Sequence, residues 1–170
     1  MSDGGRKFYG KHRGTVVNNV DPLKQGRIMA LVPDVSLTPT TWAMPCVPVS
    51  GLQMGALAVP LIGAGVWIEF ENGDPDYPIW VGGWWGSAAE VPAMTQLVPP
   101  PVPGFVWQTP LLNGIVISDV PGTGGILLTT PSLATITIND TGIVIQNGKG
   151  ASIAMVGPTV TINAGALVIT

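Results

Sequence analysis

The chain has 170 residues and a formal net charge of −3, and only 10% of its residues are charged. Its 23 glycines and 17 prolines exclude a mostly helical protein and favour many short strands joined by tight turns. Six of its seven Lys and Arg residues fall within the first 27 positions, so there is no basic stripe for a nucleic-acid backbone and we expect no nucleic-acid partner. Every apolar run stops well short of the roughly 20 residues that a membrane-spanning helix needs.

The N-terminal residues and the cysteine content indicate where the chain folds. Residues 1–7 carry charge without a following apolar segment, so we predict no secretory signal and synthesis in the cytoplasm. Cys46 is the single cysteine. This excludes an intrachain disulfide and a thiolate metal cluster within one chain. We predict no cofactor and no metal site.

Residues 1–88 have the pattern of a small barrel. Short strand candidates are separated by turns rich in Asn, Asp, Pro and Gly. Residues 66–71 alternate with period two, so that Val66, Ile68 and Phe70 face one way and the residues between them face the other. The predicted strands are 13–20, 27–32, 42–47, 66–71 and 79–81.

Residues 89–113 are predicted to be a proline-rich linker. Pro99, Pro100 and Pro101 are consecutive, and Pro103 follows closely. Such prolines hold a chain in an extended polyproline conformation. We expect a semi-rigid spacer without packed structure.

Residues 114–170 differ in composition from the first region, because Asp119, Asp140 and Lys149 are their only charged residues. Short strands recur at close intervals with turn residues between them, which indicates a solenoid-like or prism-like stack. The alternative is a left-handed hexapeptide β-helix, but its period does not fit the longer and irregular spacing. The predicted strands are 126–129, 135–139, 143–146, 152–155, 160–163 and 167–170.

The strands of this tail alternate an aliphatic residue with Thr, Ser or Asn, so one face is dry and the other is wet. Burial of the aliphatic residues within one copy cannot offset the conformational entropy lost when the segment is ordered. A partner must cover the apolar face and pair the open strand edges, and three identical chains around one axis do both. We therefore predict a homotrimer. Its predicted core residues are Ile136, Ile138, Ile143, Ile145, Ile153, Met155, Val160, Ile162, Leu167 and Ile169.

Stretches of the first region carry a family resemblance. The most specific is residues 65–82, in which two strands flank the turn Gly73-Asp74-Pro75-Asp76. The region resembles the N-terminal OB domain of the superfamily of phage baseplate assembly protein V, VgrG and tail-lysozyme spikes. Tyr77 stands where an arginine is common in that family, and the tail resembles the family's needle only in style. The other matching stretches are 13–22, 26–28 and 42–46.

The resemblance implies a trimeric central spike. In that family the OB domains trimerise beneath the tail tube, among hub and baseplate proteins, and a β-helical needle projects forward to breach a target-cell membrane. The interval between the two parts is too short here for the lysozyme domain of the large-phage member. Some family spikes hold iron through histidines near the tip, but no histidine follows His12. This implies a metal-free needle, which a separate PAAR-type tip protein could cap.

Several side chains allow a chemical interpretation as well as a structural one. Glu69 and Glu71 could form an acid/base pair, but a solvated strand face explains both of them. Asp74 and Asp76 lack the further ligands of a calcium loop, so we expect a rigid turn. Cys46 has no neighbouring histidine with which to form a nucleophile pair, so we expect a buried apolar role. We predict no enzymatic activity.

Trp80, Trp84 and Trp85 are the main support for a different function. OB folds often stack bases or sugars on such side chains. The chain would then be a binding module for oligosaccharide or single-stranded nucleic acid, oligomerised by its tail. Since a basic groove is missing, we favour packing of these tryptophans at a subunit interface.

These observations together predict an all-β protein with an N-terminal OB-like barrel and a C-terminal intertwined trimeric β-helix or β-prism needle. Its predicted role is the structural central spike of a contractile injection machine. The particle would be a phage tail, a tail-like bacteriocin or an extracellular injection system.

Overall fold

A computed structural model describes residues 5–169 as an all-β protein with short 3-10 turns, which confirms the predicted fold class. Residues 1–4, where no secretory signal was expected, and Thr170, the end of the last predicted strand, lie outside the described residues. The chain divides into two units, Met1–Glu90 and Val91–Thr170.

The first unit contains a five-stranded sheet with the order β2-β1-β6-β7-β3, antiparallel except between β3 and β7. Its strands, with the hairpin β4-β5, are β1 (His12–Asn18), β2 (Met29–Leu31), β3 (Met44–Pro45), β4 (Ser50–Gly51), β5 (Met54–Gly55), β6 (Gly65–Phe70) and β7 (Pro78–Trp84). A bridge between Ile28 and Ala43 joins the two ends of this order, and the Ala43 N–H donates to the Ile28 carbonyl at 2.7 Å. The sheet is therefore closed into a barrel.

The barrel core follows from the alternation along β6. Val66 and Ile68 are fully buried and Phe70 nearly so, whereas Trp67 and Glu69 between them are half-buried. Because side chains of a strand point alternately to its two faces, one set fills the barrel. The other core residues are Val16, Ile28, Ala30, Val32, Ala43 and Trp80.

The second unit is one sheet of eight antiparallel strands, each paired with its neighbours in sequence. Its strands are β8 (Gly104–Gln108), β9 (Gly114–Ser118), β10 (Gly125–Thr129), β11 (Thr135–Asn139), β12 (Gly142–Gln146), β13 (Ser152–Val156), β14 (Thr159–Ile162) and β15 (Leu167–Ile169). This connectivity is a meander. The structure therefore shows no solenoid within one copy, because each of the described strands of this unit pairs only with its neighbours in sequence. A prism-like stack would use this sheet as one face.

The segment 89–113 differs from the expected spacer. Its last part contains β8, and Ala93–Leu97 forms a 3-10 helix that contacts β8 and β9. The Ser118 hydroxyl donates to the Leu97 carbonyl at 3.1 Å, and Val116 and Ser118 are 2% and 7% exposed. This part of the proline-rich segment is therefore packed against the sheet, because it covers the side of β9 on which Val116 and Ser118 are buried.

The strand edges also differ from the sequence prediction. Among the described residues, the six strands between β8 and β15 are each paired on both sides within one chain. Only the outer edges of β8 and β15 are left open. A partner is therefore needed to cover a face of this sheet, not to pair most of its edges.

Candidate functional site

One face of the eight-stranded sheet carries apolar side chains in register. Ile136 lies opposite Leu128 on one side and Ile145 on the other, and the same pattern runs to both ends of the sheet. The result is two rows, which together we call the apolar face. The first row is Phe105, Ile117, Ile126, Ile138, Ile143, Met155, Val160 and Ile169. The second row is Trp107, Ile115, Leu128, Ile136, Ile145, Ile153, Ile162 and Leu167.

The structure brings all ten predicted core residues together on the apolar face. It adds six residues that sequence reasoning missed. The signal was available, because these six also alternate with other residues along short apolar strands. Phe105 and Trp107 were missed because residues 89–113 were assigned to a linker. The six are Phe105, Trp107, Ile115, Ile117, Ile126 and Leu128.

The apolar face is uncovered in a single chain. Twelve of its sixteen side chains are between 38% and 55% exposed. The second row, except Leu167, lines a groove of about 1110 Å³. On β11 the opposite face carries the polar residues Thr135, Thr137 and Asn139, which are half-buried in the single chain. A contiguous apolar surface of this extent marks an interaction site.

The charges of this unit lie away from the apolar face. From residue 114 onward, Asp119, Asp140 and Lys149 are the only charged residues, and each lies in a turn between strands. Burial of an unpaired charge is costly. Identical apolar faces can therefore meet without burying any of these charges.

The turn that carries the family resemblance is held by local contacts. Gly73 has a φ of +73°, and a Cβ added there would lie 2.9 Å from the Tyr9 ring. The Asp74 carboxylate accepts the Asp76 N–H at 3.1 Å and pairs with Lys7 at 3.2 Å. The Asp76 N–H and then Lys7 lower the pKa of Asp74. These contacts tie the turn to the segment before β1, and its rigidity stays a prediction.

Asp21 organises the connection between β1 and β2, a role that was not predicted from the sequence. Its carboxylate accepts the backbone N–H groups of Leu23 at 3.0 Å and Gln25 at 2.7 Å, and its side chain is 3% exposed. Arg27 donates to the same carboxylate through Nη2 at 2.6 Å. This guanidinium, followed by the backbone N–H groups, holds the pKa of Asp21 well below its ordinary value. An Asp before Pro at a turn was the available signal.

Glu69 and Glu71 do not form a pair on one strand face. β6 ends at Phe70, and Glu71 begins the 3-10 turn Glu71–Gly73. Glu69 instead forms an ion pair with Lys11. The geometry of an acid/base pair is therefore missing at this position.

The three tryptophans have different environments. Trp80 is 8% exposed, and its indole N–H donates to the Gly26 carbonyl at 3.0 Å, so it is a barrel core residue and its assignment to a subunit interface was wrong. Arg13 stacks on Trp67 and Trp84, with its guanidinium carbon 5.6 and 4.9 Å from their ring centroids. Trp85 is exposed. The Arg13 guanidinium thus covers part of the Trp67 and Trp84 rings, on which a base or sugar would otherwise stack.

Cys46 is exposed, so the expected buried role is wrong. It lies just beyond the two-residue strand β3, where its backbone N–H donates to the Trp80 carbonyl at 2.9 Å. The backbone of this segment therefore continues the pairing of the sheet, while the thiol side chain stays outside the core.

Within residues 5–169, no three His, Cys, Asp or Glu side chains are grouped so as to hold a metal ion. The helices in this part of the chain are all too short or too polar to span a membrane.

Two family models match the chain, and each covers most of one of the two units. Residues 12–85 match the type VI secretion system/phage-baseplate injector OB domain. Residues 104–168 match the phage baseplate V C-terminal trimerisation domain. This matched segment includes nearly all of the apolar face. The search of curated proteins gave no match. The chain therefore belongs to the phage baseplate V and VgrG-like family, with a structural role related to the spike of phage baseplates and type VI secretion systems.

Proposed function

We propose that three copies of this chain form the central spike of a contractile injection machine, with their apolar faces turned toward one threefold axis. The observation that carries this proposal is the uncovered apolar face within the segment matched by a trimerisation domain. Rotation about a threefold axis places the same residue of each copy at the same level. Each row would then meet two copies of itself, and the ten predicted residues and the six added ones would form one dry core.

The energetics favour such a core. Full burial of a large aliphatic side chain contributes about 1.5–3 kcal/mol. Covering the part of sixteen side chains that is still exposed contributes on the order of 10 kcal/mol per chain. This gain is comparable with the whole stability of a typical domain. Association would therefore be needed for the second unit to be stable.

The barrel would dock beneath the tail tube, among hub and baseplate proteins. Residues 35–68 contain no charged residue. In this stretch Leu52 is 97% exposed, and Met54 and Ile62 are also well exposed. Interface cores are depleted of charge and enriched in large apolar side chains, Met among them. This surface supports contact with other proteins of the baseplate.

The eight-stranded sheets would form a needle that breaches the target-cell envelope by mechanical force. The needle would carry little charge across a membrane, because its charged residues are few and lie in turns. A PAAR-type tip protein would bind at β15, the last strand of the meander. The chain would act without enzymatic chemistry and would work as a part of an assembled particle.

Electron cryomicroscopy of assembled particles tests this function. A particle that carries a tagged chain should show three copies on its axis at the centre of the baseplate. Density at the periphery, or particles that assemble and infect normally without this chain, would contradict the proposal.

A further inference from the structure

Two hairpin turns of the eight-stranded sheet repeat one unusual conformation. Residues 109–113 connect β8 to β9, and residues 130–134 connect β10 to β11. The fourth residue of each turn is a leucine with positive φ, Leu112 at 63° and Leu133 at 62°. The leucine N–H donates to the carbonyl of the turn's first residue, at 2.9 Å in the first turn and 3.0 Å in the second.

The next hairpin on this side of the sheet has a glycine at the fourth position of its turn. Residues 147–151 connect β12 to β13, and Gly150 holds the equivalent fourth position with a φ of +100°. Glycine adopts positive φ without a steric penalty, whereas a residue with a Cβ does not. Leu112 and Leu133 are therefore held in a backbone conformation that their side chains disfavour.

Both leucines lie on an edge that borders the apolar face. Leu112 is 46% and Leu133 is 67% exposed. Their turns are two strands apart on the same side of the sheet, a distance of about 10 Å. The residues that flank the leucines line the groove of the second row, among them Asn113 and Ala134. The exposed leucines thus lie at the turn side of the sheet, next to residues that line the groove.

We infer that Leu112 and Leu133 pack against the adjacent copy of this chain and close the seam between neighbouring sheets. The inference rests on the proposed function, because threefold symmetry would bring the side of the sheet that carries these turns beside the next copy. Backbone strain persists where the surroundings compensate for it, and it points to a functional contact. An apolar side chain that is exposed in one chain gains such a contact when the next copy covers it.

Substitution of the leucines by asparagine tests the inference. Asparagine tolerates positive φ better than leucine but removes the apolar side chain. We expect Leu112→Asn and Leu133→Asn in the full chain to dissociate from the trimer at least tenfold faster at a fixed denaturant concentration. Gln53→Asn is the matched control, because Gln53 is exposed with a φ of 55° in the β4-β5 hairpin. Its dissociation rate should equal that of the unchanged chain.

Leu133→Met separates the side-chain contact from the backbone. Methionine keeps an apolar side chain of similar volume, so this variant should stay within about threefold of the unchanged dissociation rate. Unchanged or slower dissociation of the asparagine variants would overturn the inference, because relief of strain alone would then explain them. Loss of assembly in the Met variant would also overturn it. A monomeric unchanged chain would contradict the proposed trimer itself.

Discussion

Ile162 of β14 lies directly opposite Ile153 of β13, and both line the groove of the apolar face. The adjacent residue Thr161 lies opposite Ala154, on the other face of the same strands. Ile162 therefore faces the proposed core, whereas Thr161 faces the proposed outer surface.

We predict that Ile162→Asp sharply lowers the thermal and detergent resistance of the trimer. Threefold symmetry would bring three aspartates to one level of a dry axis, where desolvation and mutual repulsion raise the pKa of their carboxyl groups. Thr161→Asp is the matched control and should leave the trimer nearly intact, since Thr161, half-buried in the single chain, lies on the face away from the proposed core. The measurement is the temperature at which the trimer dissociates in detergent. Equal behaviour of the two variants would show that Ile162 is not in a shared core.

A second prediction concerns the hydrogen bond of Trp80. Trp80→Phe leaves the Gly26 carbonyl in the barrel without its indole donor, which should destabilise the barrel by about 1–3 kcal/mol. Trp85→Phe is the control, because Trp85 is exposed. Differential scanning calorimetry should show a lower midpoint for the first variant and an unchanged one for the second. Equal midpoints would mean that this hydrogen bond does not stabilise the barrel.

A third prediction concerns pH. The fold lowers the pKa of Asp21 from its ordinary 3.8, so its contribution to stability is complete above that value and is lost as the pH falls toward the folded pKa. Asp21→Asn should therefore melt at a lower temperature than the unchanged chain at pH 7, and the gap should narrow with acidification from pH 4 to pH 2. Arg27→Lys should keep part of the effect, because lysine retains the charge but not the fork of donors. A gap independent of pH would contradict the assignment.

A fourth prediction separates backbone strain from steric contact in the barrel. Gly63→Ala places a Cβ at a φ of +88° with no neighbour within 4 Å, so only strain of about 1–2 kcal/mol is expected. Gly73→Ala adds contact with Tyr9 and Lys7 to the same strain and should cost more. The midpoint of thermal unfolding measures both. A smaller loss for Gly73→Ala would show that this turn can move away from the added methyl group.

Much of the fold was accessible to sequence reasoning where a short-range pattern determines it. The alternation in 66–71 predicted that Val66, Ile68 and Phe70 share one face of β6, which the structure shows to be buried, and the alternation after 134 predicted the apolar face. Both predictions depend on the two-residue period of a strand, which is local. The meander was not predicted, because strand order depends on pairings that the same alternation leaves open.

The errors concern residues whose environment depends on distant parts of the chain. Trp80 is buried because it packs in the barrel core, where the Gly26 carbonyl, 54 residues earlier in the chain, accepts its indole N–H. Cys46 is exposed because it lies two residues after the exposed Met44, on the outward face of the same extended segment. The strained leucine Leu133 could not be found from sequence, since a leucine in a turn gives no signal of positive φ.

The mass of the purified full chain in solution tests the central claim most directly. Sedimentation equilibrium should give three times the chain mass of 17.6 kDa at all concentrations down to the detection limit. A stable, folded monomer at the chain mass would contradict the trimeric core and the spike function built on it.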